Sequence, residues 1–417
     1  MISAQAWLLD LTRLVSRVGR GPLTGIDRVE LAYLQYLVAR PEAFFGLVRT
    51  ALGFVLLDRH GAKGLLDRVL GRVPLGPADL LGLLTQRHLP QSLRAEADAR
   101  RLAVARCFPA RLGARLRKTL PLGTVYVNVG HANLSMRVMQ AVKSVADVKI
   151  VVMVHDTIPL DYPQYCRPGT PAAFAKKLAA VSAHADLVVH SAASTRTYTE
   201  AHFIRVPPGV VAPLGLDLAL PDATTSVATK APYFVALGTI EPRKNIELLV
   251  RVWRLMQDAG GVVPHLYIVG NRGWANPALF DDLGTLVALG HASVLHTLSD
   301  GAAMALLLGA EALLFPSLAE GYGLPPIEAA AMGVPVLSGN LPVVVEMLGD
   351  YPVYLDTSDV YAWANAIHRQ LRHPMQQHDP NNKRRHPPKW VHHFHQVFGM
   401  DHAEPPQVLP DQKASHS

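Results

Sequence analysis

At 417 residues the chain is too long for one hydrophobic core, so its length favours two domains. Two cysteines are too few for a disulfide framework, which excludes the disulfide-stapled class and favours a reducing compartment. No uncharged apolar run approaches the roughly 18 residues that span a bilayer. The first residues lack a basic region and carry Asp10 early, so no secretory leader is predicted.

The net charge of +7 is concentrated in one stretch. Between Thr85 and Lys118, eight arginines and one lysine face only Glu96 and Asp98, and nine minus two equals the whole excess. Such a stretch predicts contact with an anionic surface, either a bilayer or a nucleic acid. A solvated helical face is the alternative that the charges leave open. Few aromatic residues lie in the stretch, which disfavours single-stranded nucleic acid.

The first half begins with a predicted strand at 6–11 and a loop with glycines at 19, 21 and 25. A helix is expected from about 26 to 38, and one or two strands over 44–58. Residues 61–118 have a helical pattern interrupted by prolines, which indicates a subregion at about 60–118. An α/β rhythm follows, with strands at 123–130, 148–154 and 186–190 and helices near 132–145 and 171–184.

The second half alternates strands and helices more regularly. The helix that begins at Asn245 places Leu249, Val252, Trp253 and Met256 on one face. Such alternation predicts a parallel, doubly wound sheet, whose ligands bind at the carboxyl ends of the strands. The turn-rich residues 221–232 are the expected domain boundary. The predicted domains are therefore 1–222 and 223–372, followed by an atypical His- and Pro-rich tail at 373–417.

One loop carries the densest set of functional signals. In FPSLAEGYGLPPIEAAAM, Glu320 and Glu328 bracket a glycine turn that leads into a helix through Pro325 and Pro326. Glycines allow a ligand to approach the backbone, and the free N–H groups of a helix N-terminus favour anions. The loop therefore predicts a cradle for a nucleotide phosphate.

A second loop, Glu241-Pro-Arg-Lys-Asn, follows the first strand of the second half. Arg243 and Lys244 stand beside a helix N-terminus, whose dipole opposes positive charge. A bound diphosphate would resolve this conflict, and a charged surface turn is the alternative. His155 follows an apolar strand, where the choice lies between a hydrogen-bonded turn and a position in a ligand cleft.

These motifs carry a family resemblance. GTIEPRKNIELLV and FPSLAEGYGLPPIEAAAMGVPVLSGNLPVVVEMLGD closely resemble the retaining glycosyltransferases of family four, most specifically over about 232–366. LTGIDRVE and MVHDTIP resemble the family's N-terminal glycine loop and its histidine segment more loosely. The resemblance implies the GT-B fold, in which two Rossmann-like domains with doubly wound parallel sheets face each other across a cleft. The family's usual last helix crosses to the first domain, and only KWVHHFHQVFG is suited to form it here.

The resemblance also implies roles for individual residues. Arg243 and Lys244 would bind the donor diphosphate, Glu320 the transferred sugar, and Glu328 the ribose. His155 would face the reacting sugar. The further implied contacts to the donor are Gly21, Gly25, Gly270, Tyr322, Gly323 and Leu324.

The implied activity is transfer of a sugar from GDP-mannose or a UDP-sugar to an acceptor hydroxyl, with retention of configuration. Neither a cofactor nor a metal is expected, since no Asp-x-Asp motif is present. The expected acceptor is a lipid-linked or growing surface glycan, reached in the cytoplasm, with residues 85–118 on the inner membrane face and no nucleic acid involved. A sugar-nucleotide epimerase, a phosphorylase and a non-catalytic binding module are the alternatives.

Overall fold

The structure is a computed structural model that describes residues 4–21, 23–79, 90–222, 229–296, 298–373 and 387–399. Within these residues the chain divides into two compact units. The first contains Met1–Leu160, Pro168–Leu214 and a C-terminal piece that begins at Trp390. The second contains Asp161–Arg167 and Gly215–Lys389, so the division falls a few residues before the predicted boundary at 222.

The first unit is built on an eight-stranded sheet with the order β4-β3-β2-β1-β5-β6-β7-β8. Six strands are parallel, whereas β3 and β4 pair antiparallel at one edge. The sheet is thus mainly parallel, as the resemblance implies, and it ends in an antiparallel pair at one edge because a short turn joins β2 to β3 as a hairpin. The strands are β1 Ala6–Asp10, β2 Ala43–Thr50, β3 Gly53–Asp58, β4 Ala105–Cys107, β5 Thr124–Asn128, β6 Lys149–Val154, β7 Leu187–His190 and β8 Gly209–Val211.

Helices cover this sheet, and the central strands β1 and β5 are mostly apolar, with polar residues at their ends. Every residue of β1 and β5 is buried, as expected for strands covered on both faces. The helices are α1 Thr12–Arg17, α2 Gly25–Ala39, α3 Arg59–Val69, α4 Pro90–Arg101, α5 Leu112–Thr119, α6 Met136–Lys143, α7 Ile158–Asp161, α8 Thr170–His184 and α9 Ala193–Ala201. The predicted helical subregion at 60–118 thus contains a strand, β4, and its residues 80–89 lie outside the described part.

The second unit has a six-stranded, wholly parallel sheet with the order β11-β10-β9-β12-β13-β14. In order of sequence this is 3-2-1-4-5-6, the order of a dinucleotide-binding fold. Its strands are β9 Tyr233–Leu237, β10 His265–Val269, β11 Ala292–Leu295, β12 Leu313–Phe315, β13 Val336–Gly339 and β14 Val353–Leu355. Its helices are α10 Ile246–Asp258, α11 Pro277–Ala288, α12 Asp300–Leu308, α13 Leu324–Met332, α14 Pro342–Leu348 and α15 Val360–Arg372.

The predicted apolar face of α10 is confirmed. Leu249, Val252, Trp253 and Met256 are all buried, and they pack in the core with Phe234 of β9. The Trp253 indole donates a hydrogen bond to the Pro264 carbonyl at 2.8 Å. The indole N–H is therefore satisfied inside the core, which removes the cost of burying it.

A last helix, α16 Trp390–Phe398, belongs to the first unit. Phe394 stacks on Tyr36 with ring centroids 3.8 Å apart, and Phe398 meets Trp7 edge-on. Between these rings the His393 imidazole lies 2.7 Å from the Tyr33 hydroxyl. The rest of the predicted tail, 374–386 and 400–417, lies outside the described residues.

In the described part of the chain no helix combines the length and the apolar character needed to cross a bilayer.

Candidate active site

The two loops singled out by the sequence follow neighbouring strands of the second sheet. The loop after β9 contains Arg243 and Lys244, and the loop after β12 contains Glu320. Strands β9 and β12 pair directly although β10 and β11 intervene in sequence. This is the point at which the strand order reverses, and ligands of such sheets bind in the crevice outside it. The fold therefore brings the predicted motifs together.

Backbone contacts fix the loop that carries the cations. The Gly238 N–H donates to the Val269 carbonyl at 2.9 Å, and the Ile240 N–H donates to the Asn271 carbonyl at 3.0 Å. The loop then forms a 3-10 turn over Pro242–Lys244 and enters α10. The helix starts where the sequence predicts, but the Asn245 side chain bonds the Thr357 carbonyl instead of capping it.

Glu320 joins the two loops through charge. Its Oε2 accepts from Arg243 Nη1 at 2.8 Å, and its Oε1 accepts from Lys244 Nζ at 2.5 Å. Arg243 also pairs with Glu241 through Nε at 2.7 Å, and its carbonyl accepts the Leu318 N–H at 2.7 Å. The predicted conflict between two cations and a helix N-terminus is therefore already relieved by two carboxylates of the protein.

These groups are largely buried, and burial changes their protonation. Burial raises the pKa of Glu320, but the charges of Lys244 and Arg243 outweigh it and lower that pKa to about 2. Burial lowers the pKa of Lys244, against the opposing charge of Glu320. Glu320, Arg243 and Lys244 are thus held in place in their ionised forms. Charge that is preorganised in this way is well suited to stabilising a departing anion.

The glutamate loop enters α13 through a left-handed glycine. Gly323 has φ 83° and Leu324 is the first helical residue, so Glu328 is the fifth and lies beyond the first turn. The helix dipole, which weakens beyond the first turn, therefore does little to explain a buried acid at Glu328. Tyr322 is buried beside Gly323 at the helix entry.

Gly270 supports the site from the next strand end. It has φ 154°, and a side chain there would place its first carbon 2.1 Å from the Gly238 carbonyl oxygen. Glycine is therefore required for the β9 and β10 loops to lie against each other.

His155 lies at the end of β6 in the first unit, where it is buried. Its Nε2 donates to the Val129 carbonyl at 2.6 Å, and its backbone N–H lies 3.3 Å from His131 Nε2. Burial lowers the pKa of His155 to about 4, so the ring is neutral at pH 7. The hydrogen bond fixes the proton on Nε2 and leaves Nδ1 as an acceptor.

Sequence analysis did not single out the other polar groups at these strand ends. Burial lowers the pKa of the His131 imidazole well below its usual range. The backbone carbonyl of His131 accepts a hydrogen bond from Lys177 Nζ at 3.0 Å. Asp10, at the end of β1, accepts from Asn133 at 2.8 Å and from Tyr126 at 3.0 Å. The strand-end positions of Asp10 and of the segment VNVGHAN were the signals available for finding them.

Glu30 is the least satisfied of these groups. Its Oε1 accepts the Leu14 N–H at 3.2 Å, whereas its Oε2 is buried without a hydrogen-bond partner. Burial, together with the nearby charge of Asp10, raises the pKa of Glu30 well above its usual range. A side chain at Gly130 would place its first carbon 2.3 Å from that Oε2.

The predicted N-terminal glycine loop is fixed by Asp27. Its carboxylate accepts from Arg13 at 2.8 Å and Arg17 at 3.0 Å, and the Thr24 N–H and hydroxyl donate to it. Gly21 is exposed in this loop with φ 84°, whereas Gly25 is the first residue of α2.

Comparison with known proteins agrees with this architecture. Residues 222–386 match the family model of glycosyl transferases group 1. The serotype-specific mannosyltransferase WbdA of Escherichia coli is 30% identical over 253 residues, which cover 53% of this chain and 30% of that protein. O-antigen chain mannosyltransferase B of E. coli is 32% identical over 140 residues, or 34% of this chain and 37% of that protein. The chain thus spans about a third of the length of these curated relatives.

Solved structures match over most of the chain. HepE of Anabaena in complex with UDP-glucose has a TM-score of 0.59 at 14% identity, covering 89% of this chain and 91% of that one. Sucrose-phosphate synthase of Thermosynechococcus elongatus has a TM-score of 0.55 at 16% identity, covering 89% and 90%. These likenesses confirm the expected GT-B fold. Residues 222–386 match the group 1 glycosyltransferase family, in agreement with the resemblance that the sequence motifs carry.

Proposed function

We propose that the chain is a retaining glycosyltransferase that moves a sugar from a nucleotide-sugar donor to an acceptor hydroxyl. The observation that carries the proposal is the cluster of Arg243, Lys244 and Glu320 at the switch point of a 3-2-1-4-5-6 sheet. A crevice of this kind binds nucleotides, and its fixed cations suit a diphosphate.

In the proposed reaction the bond between the anomeric carbon and the diphosphate oxygen breaks. A new bond forms from the acceptor oxygen to the same face of that carbon, and the acceptor's proton passes to the departing phosphate. Arg243 and Lys244 stabilise the negative charge that develops on the leaving group, with the N-terminus of α13 adding N–H dipoles. Tyr322, Gly323 and Leu324 contribute the backbone groups of that entry.

Glu320 has two roles in this proposal. It holds both cations at 2.5–2.8 Å, and it accepts hydrogen bonds from the sugar's hydroxyls. Glu328, which is buried in the second turn of α13, binds the ribose. His155, neutral and with Nδ1 available, accepts a hydrogen bond from the reacting sugar, and Gly21, Gly25 and Gly270 allow close backbone approach to the donor.

The donor we favour is GDP-mannose, because the curated relatives are named mannosyltransferases. A UDP-sugar is the second donor to test. The acceptor is a growing surface glycan or its lipid-linked precursor, consistent with the O-antigen name of a relative. The reaction belongs in the cytoplasm, whose reducing conditions suit a chain with only two cysteines.

The test is a transfer assay with p-nitrophenyl α-mannoside as acceptor and GDP-mannose, UDP-glucose or UDP-N-acetylglucosamine as donor. Nucleotide should be released only when donor and acceptor are both present, and proton NMR of the product should show the donor's anomeric configuration. Arg243→Ala and Lys244→Ala should each reduce kcat by about 10²–10³, the usual cost of one charge-stabilising donor.

Glu247→Gln is the matched control, since it changes an exposed residue in the first turn of α10, the helix that follows Arg243 and Lys244. Isomerised donor without acceptor would indicate an epimerase. Binding of the donor nucleotide in a thermal-shift assay, with no turnover on any acceptor, would indicate a binding module.

A further inference from the structure

A pocket of about 560 Å³ opens beside β2, β3 and β4 at one edge of the first unit's sheet, whereas His155 follows β6, which is separated from β2 by β1 and β5. The turn between β2 and β3 forms one side, and β4, the following 3-10 turn Pro109–Arg111 and α5 form the other. The catalytic proposal uses none of these residues.

The pocket lining is strongly basic. It contains five cations and no carboxylate: Arg100, Arg106, Arg111, Arg115 and Lys118. Among the described residues no carboxylate pairs with Arg111, Arg115 or Lys118. Uncompensated cations that converge on one concave surface favour a multivalent anion, and arginine forks match phosphate oxygens.

Other arginines of the same stretch have a structural role. Arg100 is buried between Asp79 at 2.6 Å and Glu96 at 3.2 Å. Arg101 pairs with Asp98 at 2.8 Å, and Arg94 donates to the Gly76 carbonyl at 2.8 Å. The cations of the basic stretch 85–118 that can bind an external anion are therefore those from Arg106 in β4 onward.

The pocket also has an exposed apolar rim. Phe108 is 71% exposed and Leu52 is 41% exposed, and both line the opening. Cys107 lies inside, where burial raises the pKa of its thiol, so it adds no negative charge. An apolar rim around a cationic pocket fits an amphiphile better than a free anion or a nucleic acid, which would need several stacking rings.

We propose that this pocket binds the phosphate headgroup of an anionic phospholipid and so docks the first unit on a membrane surface. Arg106, Arg111, Arg115 and Lys118 contact the phosphate, and Phe108 and Leu52 enter the acyl boundary. The proposal does not depend on the donor site, because the two sites share no residue.

The test is co-sedimentation of the full chain with large vesicles of phosphatidylcholine alone or with 30% phosphatidylglycerol, a composition of roughly physiological charge. Wild type should pellet with the anionic vesicles only. Arg111→Gln with Arg115→Gln should weaken binding about 25-fold, since each basic side chain near an anionic surface is worth roughly fivefold. Phe108→Ser should weaken the binding that survives in high salt.

The matched control is Arg137→Gln with Lys176→Gln. Both are exposed cations of the first unit that do not line the pocket, so net charge falls equally. This variant should bind nearly as wild type does. Circular dichroism melting and the thermal shift with GDP establish that each variant is folded with an intact donor site, which separates this test from that of the proposed function.

A short-chain phosphatidylglycerol below its micellar concentration should displace the chain from vesicles. An equal loss of vesicle binding in both double variants would show that diffuse positive charge drives binding, and it would overturn the proposed pocket site. A DNA oligonucleotide that competes better than the short-chain lipid would overturn the lipid assignment.

Discussion

Glu320 shows what a single residue can do in this fold. It is nearly buried, and it accepts from two cations that lie 76 and 77 residues earlier in the chain. The sequence motif predicts a carboxylate for the sugar and two cations for the diphosphate as separate partners. The structure joins them into one ionised cluster, so each member sets the position of the others.

Glu320→Gln should therefore lower both stability and activity. Removing one partner of a buried ion pair leaves uncompensated charge, and we expect a loss of about 3 kcal/mol at pH 7. Because the folded pKa is lowered to about 2, Glu320 stabilises fully above the unfolded value near 4.5. Its contribution disappears as the pH falls through that window. Urea unfolding at pH 7 and pH 3 measures the difference.

The matched control for that comparison is Glu247→Gln, an exposed acid of α10. Its stability should track wild type at both pH values. A Glu320→Gln deficit that is as large at pH 3 as at pH 7 would contradict the ionic account.

For Glu30 we predict the opposite dependence of stability on pH, because the pKa of Glu30 is raised. The folded state keeps a proton that the unfolded chain releases above pH about 4.5, so wild-type stability falls as the pH rises beyond that value. Glu30→Gln removes this component and should be relatively more stable at pH 8 than at pH 5. Guanidinium titrations at the two pH values check the sign.

A substitution at Gly130 tests the surroundings of Glu30 by steric means. Gly130→Ala places a methyl group against Glu30 Oε2 and should cost about 1–3 kcal/mol by overpacking. Glu30→Ala in the same chain should recover part of that loss in a double-mutant cycle. Strict additivity would show that the two residues do not interact.

At the scale of elements, the strand-end loops of the second unit depend on backbone contact. Gly270→Ala must displace the Gly238 carbonyl, so we expect a loss of more than about 1 kcal/mol and a weakened donor site. Gly284→Ala is the control: it lies within α11 with open space around it and should stabilise by about 0.5–1 kcal/mol. Thermal melts of both variants, with and without GDP, distinguish the two effects.

Helix α16 is the second element whose packing can be tested, because it makes a large aromatic contact with the first unit. Phe394→Ala removes a fully buried ring stacked on Tyr36 and should destabilise the first unit by about 3–5 kcal/mol. Gln396→Ala, on the exposed face of the same helix, should change little. Hydrogen exchange of β1 and α2 would locate the loss, and equal protection in the two variants would contradict it.

At the scale of the whole molecule, two Rossmann-like units are present, one with a mixed and one with a parallel sheet. In the proposed reaction, Arg243 and Lys244 supply the positive charge for the diphosphate. We therefore predict that excess EDTA leaves transfer unchanged. An enzyme whose leaving group needed a divalent ion would lose activity and regain it with Mg²⁺ or Mn²⁺.

The sequence alone determined most of the elements and predicted where ligands would bind. Periodicity identified the apolar face of α10, and alternating strands and helices predicted the parallel sheet of the second unit, because buried faces follow local spacing. The motifs at Arg243 and Glu320 were readable because glycine, proline and charge fall at strand ends. None of this required knowing which strands are neighbours.

Only the tertiary structure decided which of these residues meet. Pairing of β9 with β12 brings Glu320 to Lys244, and packing of α16 on the first sheet brings His393 to Tyr33, 360 residues away. In the basic stretch 85–118, the tertiary structure likewise decides the partners: Arg100 pairs with Asp79, whereas Arg111 lines a pocket. Side-chain spacing specifies which face is buried, but sheet order and helix packing specify the partner, and these depend on contacts distant in sequence.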